Sequence, residues 1–160
     1  MPAAYSLRPI TGQDLEFLYQ VYASTRIEEL AVVPWTPEQK EAFLRQQFDA
    51  QHRHYTVQFS DAAFDVVEVA GRPAGRLYLH RRPSELRIID IALLPEYRRQ
   101  GLGTAILSGI LDEARRLGRP VTIHVEHNNP AFHLYTRLGF RQIEDQGVYL
   151  LMQWQVQGTL

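Results

Sequence analysis

The sequence predicts an α/β (α+β) protein, a mixed, mainly antiparallel sheet with helices on both faces. Two stretches carry that prediction. From Tyr55 to Leu94, alternating and β-branched residues are broken at Asp61, at Gly71 to Pro73 and at Arg81 to Ser84, the pattern of antiparallel strands joined by hairpins. After Leu94 the period changes to helix, strand, helix, strand. At 160 residues, 45% of them hydrophobic, the chain is expected to form a single domain over 1–160 with a substantial core.

The elements follow in order. Tyr5 to Ile10 reads as a short strand, and Thr11 with Asp14 three residues later starts a helix running from Gly12 into the twenties. Val33, Pro34 and Trp35 break the chain. Thr36 to Gln39 then form a capping box with Pro37 at the first helical position, so a second helix is expected from Pro37 to about His52. Positions 102, 105, 106, 109, 110, 114 and 117 keep helical spacing, and Gly118, Arg119 and Pro120 end that helix. Val121 to Val125 is a buried strand; Phe140 to Asp145 and Val148 to Trp154 close the fold. There is no internal repeat or low-complexity segment.

The most informative stretch is Ile88 to Gly103, I-I-D-I-A-L-L-P-E-Y-R-R-Q-G-L-G, where an apolar strand runs through two arginines and two glycines into a helix. Gly101 and Gly103 let backbone approach a ligand, and the unpartnered N–H groups and partial charge of the following helix favour a phosphate or pyrophosphate. Arg98 and Arg99 add guanidinium forks suited to phosphate oxygens. A nucleoside-triphosphate loop is excluded, because it needs a lysine and the chain's one lysine is Lys40. The dinucleotide fingerprint fails at Ile106, where Gly or Ala is required. A Q/R-x-x-G-x-G/A loop is met at Arg98, Gly101 and Gly103. Downstream, Asn128, Ala131, Leu134, Tyr135, Gly139 and Phe140 meet N-x-x-A-x-x-L-Y-x-x-x-G-F. With both signatures in this order, the chain resembles the GNAT superfamily of acyl-CoA-dependent N-acetyltransferases, specifically from about Ile88 to Phe140.

The resemblance implies a six- to seven-stranded GNAT sheet with about four helices on both faces, and acetyl-CoA as co-substrate. It implies that backbone amides of Arg99, Gln100, Gly101, Leu102, Gly103 and Thr104, beside Arg98, wrap the pyrophosphate. Backbone of Ile91, Ala92 and Leu93 would hold the pantetheine arm and polarise the thioester carbonyl. Asn128, with Ala131 in the same signature, would bind the pantetheine amides, leaving Asn129 as the cap. Tyr135 would act as general acid, since a phenol with pKa about 10 is protonated at neutral pH and can donate to a thiolate. For the base, Asp90 is the one carboxylate inside the apolar strand. The alternatives are that Asp90 pairs with Arg87 or Arg76, or that water relays the proton.

The acceptor, a small-molecule or peptide amine, would lie against the first two helices. Glu28 and Glu29 are candidates for shaping that pocket, with an exposed acidic helix end as the alternative. Tyr22, Trp35, Phe43 and Phe48 would line it or belong to the core. The net charge of −1 gives no general attraction to nucleic acid or an acidic membrane. Without cysteine there is no disulfide, thiolate metal site or cysteinyl acyl-enzyme. H-V-E-H at 124 to 127 alternates across a strand and does not make a metal set, so no metal is expected. With no basic leader and no membrane-length apolar run, a cytoplasmic protein is expected. GNAT proteins are often dimers, so a homodimer is left open. The rival reading is a non-catalytic acyl-CoA-binding or sensing module on the same fold.

Overall fold

The computed structural model describes residues 4–156. In chain order, β1 (Ser6–Pro9) leads through a 3-10 turn into α1 (Leu15–Leu30) and α2 (Pro37–Gln58). The antiparallel strands β2 (Ala63–Val69), β3 (Arg72–Arg81) and β4 (Leu86–Leu93) follow. Then come α3 (Leu102–Leu117), β5 (Val121–Glu126), α4 (Phe132–Arg137), β6 (Arg141–Asp145) and β7 (Tyr149–Trp154). The seven strands make one sheet in the order β1-β2-β3-β4-β5-β7-β6, and only the β4–β5 pairing is parallel. The expected architecture is the one observed.

Local chemistry accounts for the boundaries. Thr11 and Asp14 cap a 3-10 turn at Gly12–Asp14 instead of opening the α-helix directly: the Thr11 amide donates to Asp14, and Thr11 Oγ1 accepts from Gln13. Thr36 and Gln39 exchange the two bonds of the expected capping box. The second helix, however, runs to Gln58 and does not stop near His52, and Tyr55 opens no strand. Thr56 and Val57 carry a β preference, but Thr56 turns its hydroxyl back onto the His52 carbonyl, 3.0 Å away. The Tyr55 ring meets Tyr78 of the sheet edge-on. Packing on the sheet overrides a weak local preference.

Each sheet face carries its own core. α3 buries Leu102, Ile106, Leu107, Ile110, Leu111 and Ala114 against Leu77, Leu79, Ile88, Ile123 and Val125, and Tyr135 of α4 joins them. Gly118, left-handed at φ 65°, ends α3 where the sequence places its stop. On the opposite face Leu18, Tyr19 and Tyr22 of α1 pack with Leu44 and Phe48 of α2.

Two irregularities in β4 position the site. Tyr78 pairs with Asp90 but Leu79 pairs with Ile88, so Ile89 is bulged out and Asp90 shares the α1/α2 face with Arg76 and Tyr78. Beside it, β4 and β5 are paired only at Leu86–Val121, Arg87–Thr122 and Ile88–Ile123, although both strands continue. The sheet opens between Asp90–Leu93 and the end of β5. On the other side of β4, Gly75 lies so close to Ala92 that a Cβ there would collide with the Ala92 carbonyl oxygen.

Candidate active site

The glycine loop and the start of α3 lie just beyond the open end of β4. Arg99 (φ 61°) and Gly101 (φ 79°) both take the left-handed conformation, which turns successive N–H groups toward one concavity. Among the described residues, the N–H groups from Arg99 to Thr104 donate to no protein acceptor; the first intrahelical bond is Ala105 to the Gly101 carbonyl, 3.0 Å. A Cβ at Gly101 would meet nothing within 4 Å, and one at Gly103 only Leu134 at 3.8 Å. Close protein packing therefore does not account for these glycines, whereas a ligand reaching the backbone would.

The loop is braced from outside. Arg98 Nε donates to the Leu93 carbonyl at 3.0 Å and its second nitrogen to Ser24 Oγ at 3.2 Å, tying the loop to β4 and to α1. Gln100 Nε2 donates to the Glu96 carbonyl at 2.7 Å. Arg98 and Gln100 thus shape the concavity with their side chains, and Leu102, which is buried, anchors it to the core.

Asn129 is the expected cap of α4, but the cap position is Ala131, which has no side-chain cap bond; Asn129 Oδ1 instead accepts from the Ala131 amide at 2.9 Å in a turn just ahead of the helix, and the Asn128 side chain is exposed. Tyr135 is 4% exposed, with its ring edge against Phe140. Burial, reinforced by the charge of Asp90, pushes its phenol well above the ordinary value, so it stays protonated at neutral pH. The charge of Asp90 is felt at Tyr135 although the two belong to opposite faces of the sheet.

On the α1/α2 face Asp90 is ion-paired with Arg76, which is 3% exposed. Of the partners considered for Asp90, Arg76 is the one chosen; Arg87 turns instead to Thr122, 2.7 Å, and His124, 3.1 Å. Arg76 also donates to Gln51 Oε1 at 3.1 Å and lies over the Tyr78 ring. Burial pushes the Tyr55 phenol of α2 up, again with Asp90 adding to it. Tyr22 and Phe48 belong to this core, whereas Trp35 is 41% exposed beside Phe43. Glu28 and Glu29 are exposed at the end of α1, and Glu29 pairs with Arg26 at 3.0 Å. Gln51, Tyr55, Gly75 and Tyr78 were not singled out from sequence. An arginine inside the otherwise apolar run Ala74 to Leu79 was the one available signal.

Among the described residues no helix is long and apolar enough to cross a membrane, and no three His, Cys, Asp or Glu side chains converge. The nearest chemistry is found in known proteins of this architecture. The chain is 30% identical over 99 residues to an N-alpha-acetyltransferase of Sulfurisphaera tokodaii, a match spanning 52% of this chain and 59% of that relative. In fold it is similar to the PaiA N-acetyltransferase of Thermoplasma acidophilum, solved in complex with coenzyme A (TM-score 0.72, 18% identity, 95% and 99% of the two chains). It is likewise similar to the ribosomal-protein-S18-alanine N-acetyltransferase of Escherichia coli (TM-score 0.63, 21% identity, 98% and 96%). The family model that matches, the Acetyltransferase (GNAT) family, covers residues 18–140 and so takes in α1 through the Tyr135 signature. With the glycine loop, the open β4–β5 seam and the buried tyrosine lying within that span, the chain belongs to the GNAT acetyltransferase family.

Proposed function

We propose that this chain transfers the acetyl group of acetyl-CoA directly to a primary amine, with a peptide or protein α-amine as the acceptor class. The observation that carries the reading is the β4–β5 opening, which has an anion-ready loop and a buried, protonated tyrosine on one face and the Arg76–Asp90 polar cluster on the other. The acceptor class is supported by the names of the similar proteins from S. tokodaii and E. coli.

Acetyl-CoA supplies an acyl group activated as a thioester. The free amides from Arg99 to Thr104 suit its pyrophosphate, and the open edge of Ile91, Ala92 and Leu93 suits its pantetheine arm. Asn128, left free by Asn129, is assigned to the pantetheine amides. The unpaired β4 amides would support a thioester carbonyl as it gains negative charge. Tyr135 gives its proton to the departing sulfur. Asp90 holds Arg76 in place, and its charge adds to the burial that raises the Tyr135 phenol.

The test is a thermal-shift titration followed by a thiol-release assay. At acetyl-CoA about 100 times its dissociation constant, linkage gives ~2.7 kcal/mol, a rise of roughly 5 to 11 °C in Tm. Free CoA should act similarly and ATP should not. Thiol release from acetyl-CoA in the presence of a peptide with a free N-terminal alanine then separates an enzyme from a module that merely holds acyl-CoA. No shift at millimolar acetyl-CoA would sink the reading.

A further inference from the structure

Two carboxylates stand on the α1/α2 face of the strands that border the β4–β5 opening, and their circumstances differ. Asp90, on β4, is bonded to a buried guanidinium. Glu126 ends β5, half-buried, and among the described residues its side chain makes neither an ion pair nor a hydrogen bond. The register places it. Thr122, His124 and Glu126 alternate onto one face, and Arg87 Nε bonds Thr122 Oγ1 there, so this is also the face of Arg87, Tyr78 and Asp90. From Ile88 opposite Ile123, and allowing for the bulged Ile89, Glu126 comes level with Ala92. That is the stretch of β4 whose free edge is assigned to the thioester.

We propose that Glu126, rather than Asp90, is the carboxylate that takes the proton of the acceptor amine. The inference rests on the transferase reading above and names a residue for its unfilled role. An alkyl or α-ammonium group arriving at the opening gives one proton to the Glu126 carboxylate and becomes a neutral amine. The nitrogen lone pair then attacks the thioester carbonyl carbon and the C–S bond breaks. The thiolate takes the Tyr135 proton, and the second proton leaving nitrogen restores Tyr135 through solvent. Glu126 releases its proton to water, so ammonium and thioester give amide, thiol and one proton.

The surroundings suit the role. From α1, burial raises the Tyr22 phenol, with Arg26 and Arg76 opposing and Glu29 and Glu126 adding to it, so Glu126 lies on the side of the sheet that α1 covers. Arg26 is engaged by Glu29 and Arg76 by Asp90, leaving Glu126 as the carboxylate there without a cation of its own. From β7, Tyr149 lies opposite in the ladder. An arriving ammonium group would supply the missing positive charge.

The experiment compares wild type, Glu126→Gln and Glu126→Asp in thiol release from acetyl-CoA. The probes are a peptide with a free N-terminal alanine (amine pKa about 8) and an N-blocked peptide with one lysine (about 10.4). With Glu126→Gln, kcat/KM near neutral pH should fall about 10²-fold, and the deficit should shrink as pH approaches the probe's own pKa, sooner for the alanine peptide. Glu126→Asp should keep the wild-type pH profile at a lower rate, and the acetyl-CoA thermal shift should be the same in all three. The change of the deficit with pH is read within one variant, so a partly unfolded sample cannot imitate it. Activity of Glu126→Gln within about threefold of wild type, or a deficit that does not change with pH, overturns the proposal and leaves the transferase reading standing. Wild-type binding of acetyl-CoA with no turnover of either probe overturns both.

Discussion

The two sides of the β4–β5 opening are built from different materials. On the α3/α4 side, beside the buried Tyr135, the groups left without protein partners are backbone: amides from Arg99 to Thr104 and the unpaired edge of Ile91 to Leu93, with two left-handed residues in the loop. On the α1/α2 side they are side chains from separate elements, Gln51 and Tyr55 of α2, Arg76 and Tyr78 of β3, and Asp90 of β4. Backbone sites demand a conformation and therefore a few special residues in a row. Side-chain sites demand only that distant positions meet.

This contrast predicts that charge changes damage the side-chain half through folding, and the backbone half through binding. The largest expected effect on stability is Asp90→Asn, which leaves the Arg76 guanidinium buried without its counter-charge. A loss of about 3 kcal/mol is expected, or roughly 6 to 12 °C in Tm, measured by thermal unfolding. If the melting point hardly moves, the ion pair does not hold this half together. Tyr135→Phe makes the opposite test, because the ring keeps its packing and loses only the proton. Turnover should drop by about 10²-fold while the Kd for acetyl-CoA is nearly unchanged. Equal turnover would remove Tyr135 from the mechanism.

Smaller changes sharpen the comparison. Gly101→Ala puts a side chain on a residue at φ 79°, where space is open but the conformation is disfavoured. We expect a cost of about 1 kcal/mol and weaker acetyl-CoA binding, with little change in turnover at saturating donor. Unaltered affinity by calorimetry would show that the loop is only a turn. The smallest effect is electrostatic, at the entry to α1. Arg8 bonds Asp14 at 2.8 and 2.9 Å, and this, with the Thr11 amide, lowers the Asp14 carboxyl to about 2. A carboxyl lowered in the folded state stabilises above its unfolded pKa and loses that contribution as pH falls. The Tm gap between wild type and Asp14→Asn should therefore be full above about pH 4 and close toward about pH 2, with a size near 1 kcal/mol because Arg8 is partly exposed. A gap that persists at the acid end would contradict the assignment.

Legibility in the sequence follows the same division. Gly101, Gly103 and the Asn128 to Phe140 signature were readable because a turn and a short helix are local, although the cap of that helix falls at Ala131 and not at Asn129. The helix boundary at His52 was not, because Thr56 and Val57 lean toward β while the helix, with Tyr55 packed on Tyr78 of the sheet, runs on to Gln58. Arg98 shows the limit from the other side: its place beside the loop was legible, but its bonds to Leu93 and Ser24 depend on α1 lying over the end of β4.

By itself the sequence determined the order of strands and helices, the Thr36–Gln39 capping box, the stop of α3 at Gly118 and the glycine turn ahead of α3, since these depend on residues within a few positions of one another. The tertiary structure alone decided the Ile89 bulge, the parting of β4 from β5, the choice of Arg76 over Arg87 as partner for Asp90, and the lack of a side-chain partner for Glu126 among the described residues. Those outcomes turn on which strands lie side by side and in what register. Register is set by the packing of both faces at once, and a one-residue bulge that no local pattern announces changes what a carboxylate meets.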